Sequence, residues 1–492
     1  MVGTTSPNAA NAVAVAPTTA TERHWMNRLS WGATPALTAQ LRAAGGPAKW
    51  FELQLAPGRV GDTFAGGLRS WFPQTQYDAP MLWKRHKMGL CRLWEVAADL
   101  QSWTLLRRIH SKRQVHEVMV DFWSNLLHVP TADDKSYAWR WDYDGVIRKH
   151  ALGTFEQLLL AAITHPAMGC YLDNAQSSDI TLNENLGREL LELHTVGVAA
   201  RYTEDDVKMS ARILTGYNVD MWHTFQAWYS EYEHFVGPVK VMGFSDPNGS
   251  SDGRAVTARY LSYLARHPAT ARRIARRLCV RLVNDEPSAA LVTAVSKAYL
   301  ASGTDIKATL RALVQHPDFL PSAGRKVRTP VEDAVAMYRS LGVRPGAPTE
   351  DGAFATDFHW LVSNMGQQPF DWPRPDGSPD VAEAWSGVSR VLRSFEGHHS
   401  AAAGWWPSKN VTYRDEADWL RGLAMPCTLD GVTDHISRQL LCRPATDQLK
   451  AAVAARLGLA RGYTVKTIAD MQMWRLQYVL AAALNSPHHL HR

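Results

Sequence analysis

Apolar residues recur at helical spacing through most of this chain. In VHEVMVDFWSNLLHV (115–129), Val118, Phe122, Leu126 and Val129 fall on one stripe and leave a second, polar stripe elsewhere on the helix. The same period runs through VIRKHALGTFEQLLLAAI, which stops near His165-Pro166, and through 254–266, 268–282, 287–301 and 304–315. Residues 79–128 read as long helices with few breakers. Boundary signals bracket others: Thr34-Pro35 opens a short helix that Gly45-Gly46 closes, and Gly197 closes a helix at about 183–196. Thr203 with Asp206, and Thr329-Pro330 with Glu332, are capping-box starts for helices running to Gly216 and Leu341.

Two regions break the pattern. Over 217–244, aromatic and β-branched residues alternate with polar ones about Gly237-Pro238, which predicts a β-hairpin or extended arm, followed by a turn-rich loop at 245–253. Residues 343–380, including PFDWPRPDGSPD, are dense in Pro, Gly and Asp and predict irregular chain. The expected class is mainly α: a multi-helix globular bundle with one small hairpin or arm and a long irregular Pro/Gly/Trp-rich loop. The expected divisions are a disordered leader (1–20), an N-terminal helical subdomain carrying a polar helix pair (21–216) and the hairpin and loop (217–253). A middle helical subdomain (254–342), the irregular loop (343–380) and a C-terminal helical segment (381–492) follow.

Composition supports burial over most of the length, with 46% hydrophobic residues and 19 Trp in 492. The net charge of +6, from 53 basic and 47 acidic side chains, is too small to imply nucleic acid. Its one concentration, Arg272, Arg273, Arg276, Arg277 and Arg281, lies opposite Ile274, Leu278 and Leu282 and reads as a solvated or ion-paired helix face. Five scattered cysteines, Cys91, Cys170, Cys279, Cys427 and Cys442, read as reduced, buried small hydrophobes. The start of the chain has no signal-peptide pattern and no apolar run approaches a bilayer span, so a cytoplasmic, non-membrane-spanning protein is expected.

The candidate chemistry lies on two polar stripes. Asp121, Asn125 and His128 stand at i, i+4 and i+7, and Asn185, Glu189 and Glu192 repeat that spacing on another helix. Facing each other inside a bundle, they would gather carboxylates and an imidazole around one point. Glu189, Glu192, His128 and Asp121 would then be metal ligands. Glu189 and Glu192 would otherwise act as acid/base groups, with Asn125 and Asn185 as orienting partners in the catalytic set. Such a donor set suits iron, manganese or magnesium more than zinc. A ferritin-like site needs Glu-x-x-His on two helices, whereas ELLELH offers Glu-x-x-Glu with His194 out of step. The plainer reading is the stronger one: Glu189 and Glu192 pair with Arg188 or Arg212 in a packing network, and Asn183 and Asn185 cap a helix. His234 reads as a surface or hairpin residue, His398-His399 as loop residues beside Trp405-Trp406, and His488, His489 and His491 as a tail with fortuitous metal affinity. Phe370, Trp372, Trp385, Trp405 and Trp406 read as anchors of the irregular loop or a stacking surface for a sugar. Asp371 and Asp376 are candidate paired carboxylates of unfixed separation.

Several blocks together resemble one family: MVDFWSN, NENLGRELLELHTVGV with YTEDDVKMSARILTGY, GPVKVMGF, HPATARRIARRLCVRLVND, KVRTPVEDAVAMYRSLGV and PFDWPRPDG. They are similar to the large bacterial family called domain of unknown function 1800, from about His24 to the C-terminus. The resemblance implies a mainly helical bacterial protein, often encoded near a sulfatase-like family, domain of unknown function 1501, which is the partner expected by analogy. It implies no activity. Many members resemble F-W-H-N-H-F at the first block, where this chain has Phe122-Trp123-Ser124-Asn125-Leu126-Leu127-His128, so His128 would have to substitute for the missing histidines. Two functional expectations follow. One is an enzyme with a carboxylate/His, metal-assisted site between two helices. The other is a non-catalytic scaffold that binds a partner protein or glycan through its Trp-rich loop and arm.

Overall fold

The computed structural model describes residues 17–492. Of the leader assigned to 1–20, residues 1–16 lie outside the described residues; Thr19 already caps the helix Ala20–Leu29 in a capping box with Glu22. The structure is 59% helical, and every sheet among the described residues is short and two-stranded, a mainly α architecture. No helix among the described residues is long and apolar enough to cross a membrane.

Helices stand where periodicity and caps agree. Arg254–Arg266 and Pro268–Leu282 have the expected bounds, while Ala289–Ala301 and Ile306–Gln315 start two residues late because Ser288 and Asp305 cap them. The 79–128 stretch is three helices, Ala79–Lys87, Leu93–His110 and Gln114–Leu126, the first break turning at Gly89 with φ of 70°. The helix expected over 183–196 is shorter and of mixed pitch: Asn185–Glu189 is α, and Leu190–His194 widens into a π turn.

The arm holds two hairpins rather than one. Tyr217–Val219 pairs with Ala227–Tyr229, with Tyr217 opposite Tyr229, and Val239–Val241 pairs with Phe244–Asp246. The 343–380 segment is not wholly irregular, because Phe354–Asn364 is an 11-residue helix that buries Phe354, Phe358, Leu361 and Val362. One continuous apolar cluster runs from Trp25 to Leu484, so segments far apart in sequence share a core. A smaller cluster joins Leu82, Trp83 and Leu93 to Phe225 of the arm. Cys91, Cys170, Cys279 and Cys442 are buried in this packing, Cys427 is half-buried, and all five are unbridged.

Gly187 marks the closest helix contact near the candidate residues. A Cβ there would lie 2.7 Å from the Ala211 backbone nitrogen, so 185–189 can press against Glu204–Ile213 only without a side chain. Gly187→Ala is expected to destabilise the fold by about 1–3 kcal/mol, the usual range for overpacking. Urea unfolding measures this, with Gly66→Ala, whose Cβ would meet open space, as the neutral control.

Candidate metal centre

Among the described residues, one group of three side chains has the geometry of a metal site: Asp333, His398 and His489, whose ligand atoms all lie within 4.8 Å of one another. Three segments deliver them. Thr329 and Glu332 form the capping box that starts Pro330–Leu341, which puts Asp333 in the first turn, fully buried. His398 projects inward from Val388–Ala402. His489 sits in the short helix Pro487–Leu490, which is pinned when the chain beyond it pairs with 326–328. Arg328 N–H donates to the Leu490 carbonyl at 2.9 Å, and Arg492 N–H to the Lys326 carbonyl at 2.8 Å.

The Nε2 atoms of both histidines lie 2.9 Å from the same oxygen, Asp333 Oδ1. The other carboxylate oxygen accepts from Arg390 at 3.1 Å. Burial works to raise the Asp333 carboxyl, but His398 and His489 outweigh it and hold the group well below the usual carboxylate range. Burial pushes His489 down to about 4, against its bond to Asp333, so a neutral imidazole faces a carboxylate. Neutral imidazole and ionised carboxylate are the forms that ligate metals.

The orientation of His398 carries further information. Its Nδ1 lies 2.8 Å from Asn485 Oδ1, and with the Asn485 amide so placed that oxygen can only accept, so Nδ1 carries the ring proton. The ring's Nε2 then faces Asp333 Oδ1 at 2.9 Å. A cation belongs between these two atoms, either a second ring proton or a metal ion. An outer partner that fixes the ring's tautomer is also the usual companion of a metal-bound histidine.

A family model described as a protein of unknown function, DUF1800, matches residues 24–490. The chain belongs to the DUF1800 family. No curated protein and no solved structure matches it.

In this DUF1800 protein the first polar stripe turns toward a loop. Asp121 accepts from Arg108 at 2.6 Å and from Arg281 at 2.8 Å. The Asn125 amide reads the Ser378 backbone in both directions, accepting from its N–H at 2.7 Å and donating to its carbonyl at 2.8 Å. Gly377 makes this approach feasible, since a Cβ there would meet the Asn125 carbonyl at 2.2 Å. His128 Nε2 lies 2.8 Å from the Trp372 carbonyl, and burial pushes the ring down to about 4. Asp121, Asn125 and His128 line one polar cavity of about 30 Å³ with Gln367, Trp372 and Ser378, room for a couple of waters. At the positions of the missing family histidines stand Ser124 and Leu126, both buried.

The second stripe does not line that cavity. Glu189 is half-buried, its carboxyl raised first by burial and then by Glu192, and Glu192 accepts from the Tyr202 hydroxyl at 2.8 Å. Neither forms an ion pair among the described residues. Arg188 pairs with Glu204 and Glu184 instead, and Arg212 lies over the Phe235 ring. Neither asparagine is the N-cap, a position held by Glu184, but Asn183 Oδ1 accepts from the first helical N–H, that of Asn185, at 2.9 Å. The two helices meet through His194, which the π turn brings 3.0 Å from the Leu126 carbonyl.

Several histidines are placed differently from the sequence expectation. His234 is buried between the Thr215 carbonyl and Asn248 Oδ1, with Gly253 against its ring. His398 and His399 are helical, and His489 is a core residue, not a tail residue. Arg281, read as part of an outer face, is buried and binds Asp121, Asp380 and Glu332 at 2.8–2.9 Å. The loop aromatics mostly anchor: Phe370 lies under the Arg140 guanidinium, Trp372 and Trp385 meet edge to face, and Trp406 donates to Asp357. Asp376 pairs with Arg374 at 3.3 Å, and burial raises the Asp371 carboxyl.

Proposed function

We propose that this protein binds one divalent transition-metal ion through Asp333, His398 and His489. The observation that carries the reading is the convergence of two imidazole nitrogens on one carboxylate oxygen, with the His398 ring oriented by Asn485. Arg390 occupies Oδ2, so the carboxylate ligates through Oδ1 alone. Two nitrogen donors with one oxygen suit zinc, iron(II) or manganese(II), and disfavour magnesium, which prefers oxygen. Three protein ligands leave a position that water can take, and a metal there would acidify that water. The three side chains are at most 3% exposed, which favours an ion that staples the C-terminal segment to the helix Pro330–Leu341 over one open to bulky substrates.

Metal analysis of chelator-treated, reconstituted protein tests this. One equivalent of zinc, iron(II) or manganese(II) is expected in the wild type and none in His398→Ala or His489→Ala. The melting temperature of the wild type should rise with free metal, by about 2.7 kcal/mol of added stability at a hundredfold excess over Kd. Protein that returns no stoichiometric metal, with a melting temperature indifferent to metal and chelator, would leave the triad a proton-sharing polar contact and end the proposal.

A further inference from the structure

The turn joining Ala79–Lys87 to Leu93–His110 combines exposed apolar and basic side chains. Met88 is 62% exposed, Leu90 52% and Trp94 58%. Met81, Lys84 and Met88 stand at i, i+3 and i+7 and share the outward face of the first helix, while Leu82 and Trp83 turn inward to the smaller core. At the tip, Gly89 has open space where a Cβ would sit, so nothing covers the turn. Trp222, 46% exposed, lies edge-on to Trp83 at 6.1 Å and extends the apolar surface from the arm.

Lys84, Arg85, Lys87 and Arg92 flank these groups, and none forms an ion pair among the described residues. The nearby acids are engaged: Glu95 by the Arg92 backbone N–H, Asp78 by that of Met81, and Asp220 by His223 and Thr224. Lys84, Lys87 and Arg92 are exposed, whereas Arg85 is held by Gln74 and the Tyr77 ring. Three exposed cations around a projecting knob of Met, Leu and Trp make two complementary demands on an occupant: negative charge at its surface and a pliant apolar layer just beneath. A convex tip also offers no groove that would shape a peptide. Exposed apolar area of this kind marks an interaction site, and Trp with flanking Lys and Arg suits the headgroup boundary of a bilayer.

We propose that the 81–94 turn docks this protein peripherally onto an anionic lipid bilayer, with Met88, Leu90 and Trp94 entering the headgroup boundary and Lys84, Lys87 and Arg92 meeting lipid phosphates. The inference is independent of the metal reading. Sedimentation of the full chain with vesicles tests it. Binding is expected to vesicles of equal phosphatidylglycerol and phosphatidylcholine, and weak or no binding to phosphatidylcholine alone. Added salt should weaken binding. The double variant Lys84→Glu with Lys87→Glu is expected to lose about a hundredfold in affinity, since each basic residue contributes near an anionic surface. Met88→Ser with Trp94→Ser should also reduce binding. These side chains are solvent-facing, so the variants should keep the wild-type melting temperature. Should one fail to fold, wild-type tryptophan fluorescence quenched by brominated lipid, and unquenched in free solution, carries the test by itself. Absence of binding to anionic vesicles, or binding that both double variants leave intact, overturns the proposal and directs the search to an acidic protein partner.

Discussion

Between about pH 7 and about pH 5 the protein is expected to lose several kcal/mol of stability, because buried histidines, His24, His128 and His194 among them, must take up protons on unfolding. Burial pushes His24, His128 and His194 each down to about 4, with Arg28, Arg140 and Arg273 adding repulsion. Unfolded, each would titrate near 6.5. A folded value below the unfolded one means that the neutral fold is fully favoured above about pH 6.5, and that the advantage is lost as pH falls toward about 4. Below that both states are protonated and the loss levels off. At about 1.4 kcal/mol per pH unit, each ring accounts for about 2 kcal/mol by about pH 5, a large share of a typical total of 5–15 kcal/mol. Urea unfolding across this range checks the slope. His24→Leu isolates one ring, since neither His24 nitrogen makes a hydrogen bond of normal geometry, and it should flatten the pH dependence by about 2 kcal/mol between about pH 7 and about pH 5. An unchanged slope in that variant would contradict the assignment.

Arg281→Met is expected to destabilise the protein by about 3–5 kcal/mol, the range for breaking a buried ion pair by removing one partner. Arg281 is 5% exposed in its side chain and is the shared cation for Asp121, Glu332 and Asp380. Arg108 still neutralises Asp121 and Arg492 still reaches Glu332 at 3.0 Å, but Asp380 loses its guanidinium. The network joins Gln114–Leu126, Pro268–Leu282, Pro330–Leu341 and the loop before 381, so its loss should be global. Arg188→Met removes an outer pair, with Arg188 34% and Glu204 76% exposed, and should change stability by less than about 1 kcal/mol. Chemical denaturation of the two variants gives the comparison.

Local order was legible because its causes are local. Thr329 and Glu332 announced the helix Pro330–Leu341, and the spacing of Asp121, Asn125 and His128 announced a shared polar face that does line one cavity. What meets that face was not legible: Trp372 and Ser378 come from a loop about 250 residues away, and no helical period encodes such a contact. Pro and Gly density likewise hid the helix Phe354–Asn364. The π turn at Leu190–His194 leaves no periodic trace, yet it puts His194, out of step by simple counting, against Leu126. Asp333, His398 and His489 escaped because they are separated by 65 and 156 positions, and the histidines read as loop and tail. The usable signals were Ser394, His398, Ala401 and Ala402 on one buried helical face, and a helix restarting at Pro487.

X-ray absorption at the metal edge of the zinc-loaded protein probes the proposed centre most directly. A first shell of nitrogen and oxygen at about 2.0–2.2 Å, with the outer-shell pattern of two imidazoles that disappears in His398→Ala, is the result predicted here. A shell containing sulfur, or one unchanged when His398 and His489 are replaced, would place the metal elsewhere and contradict it.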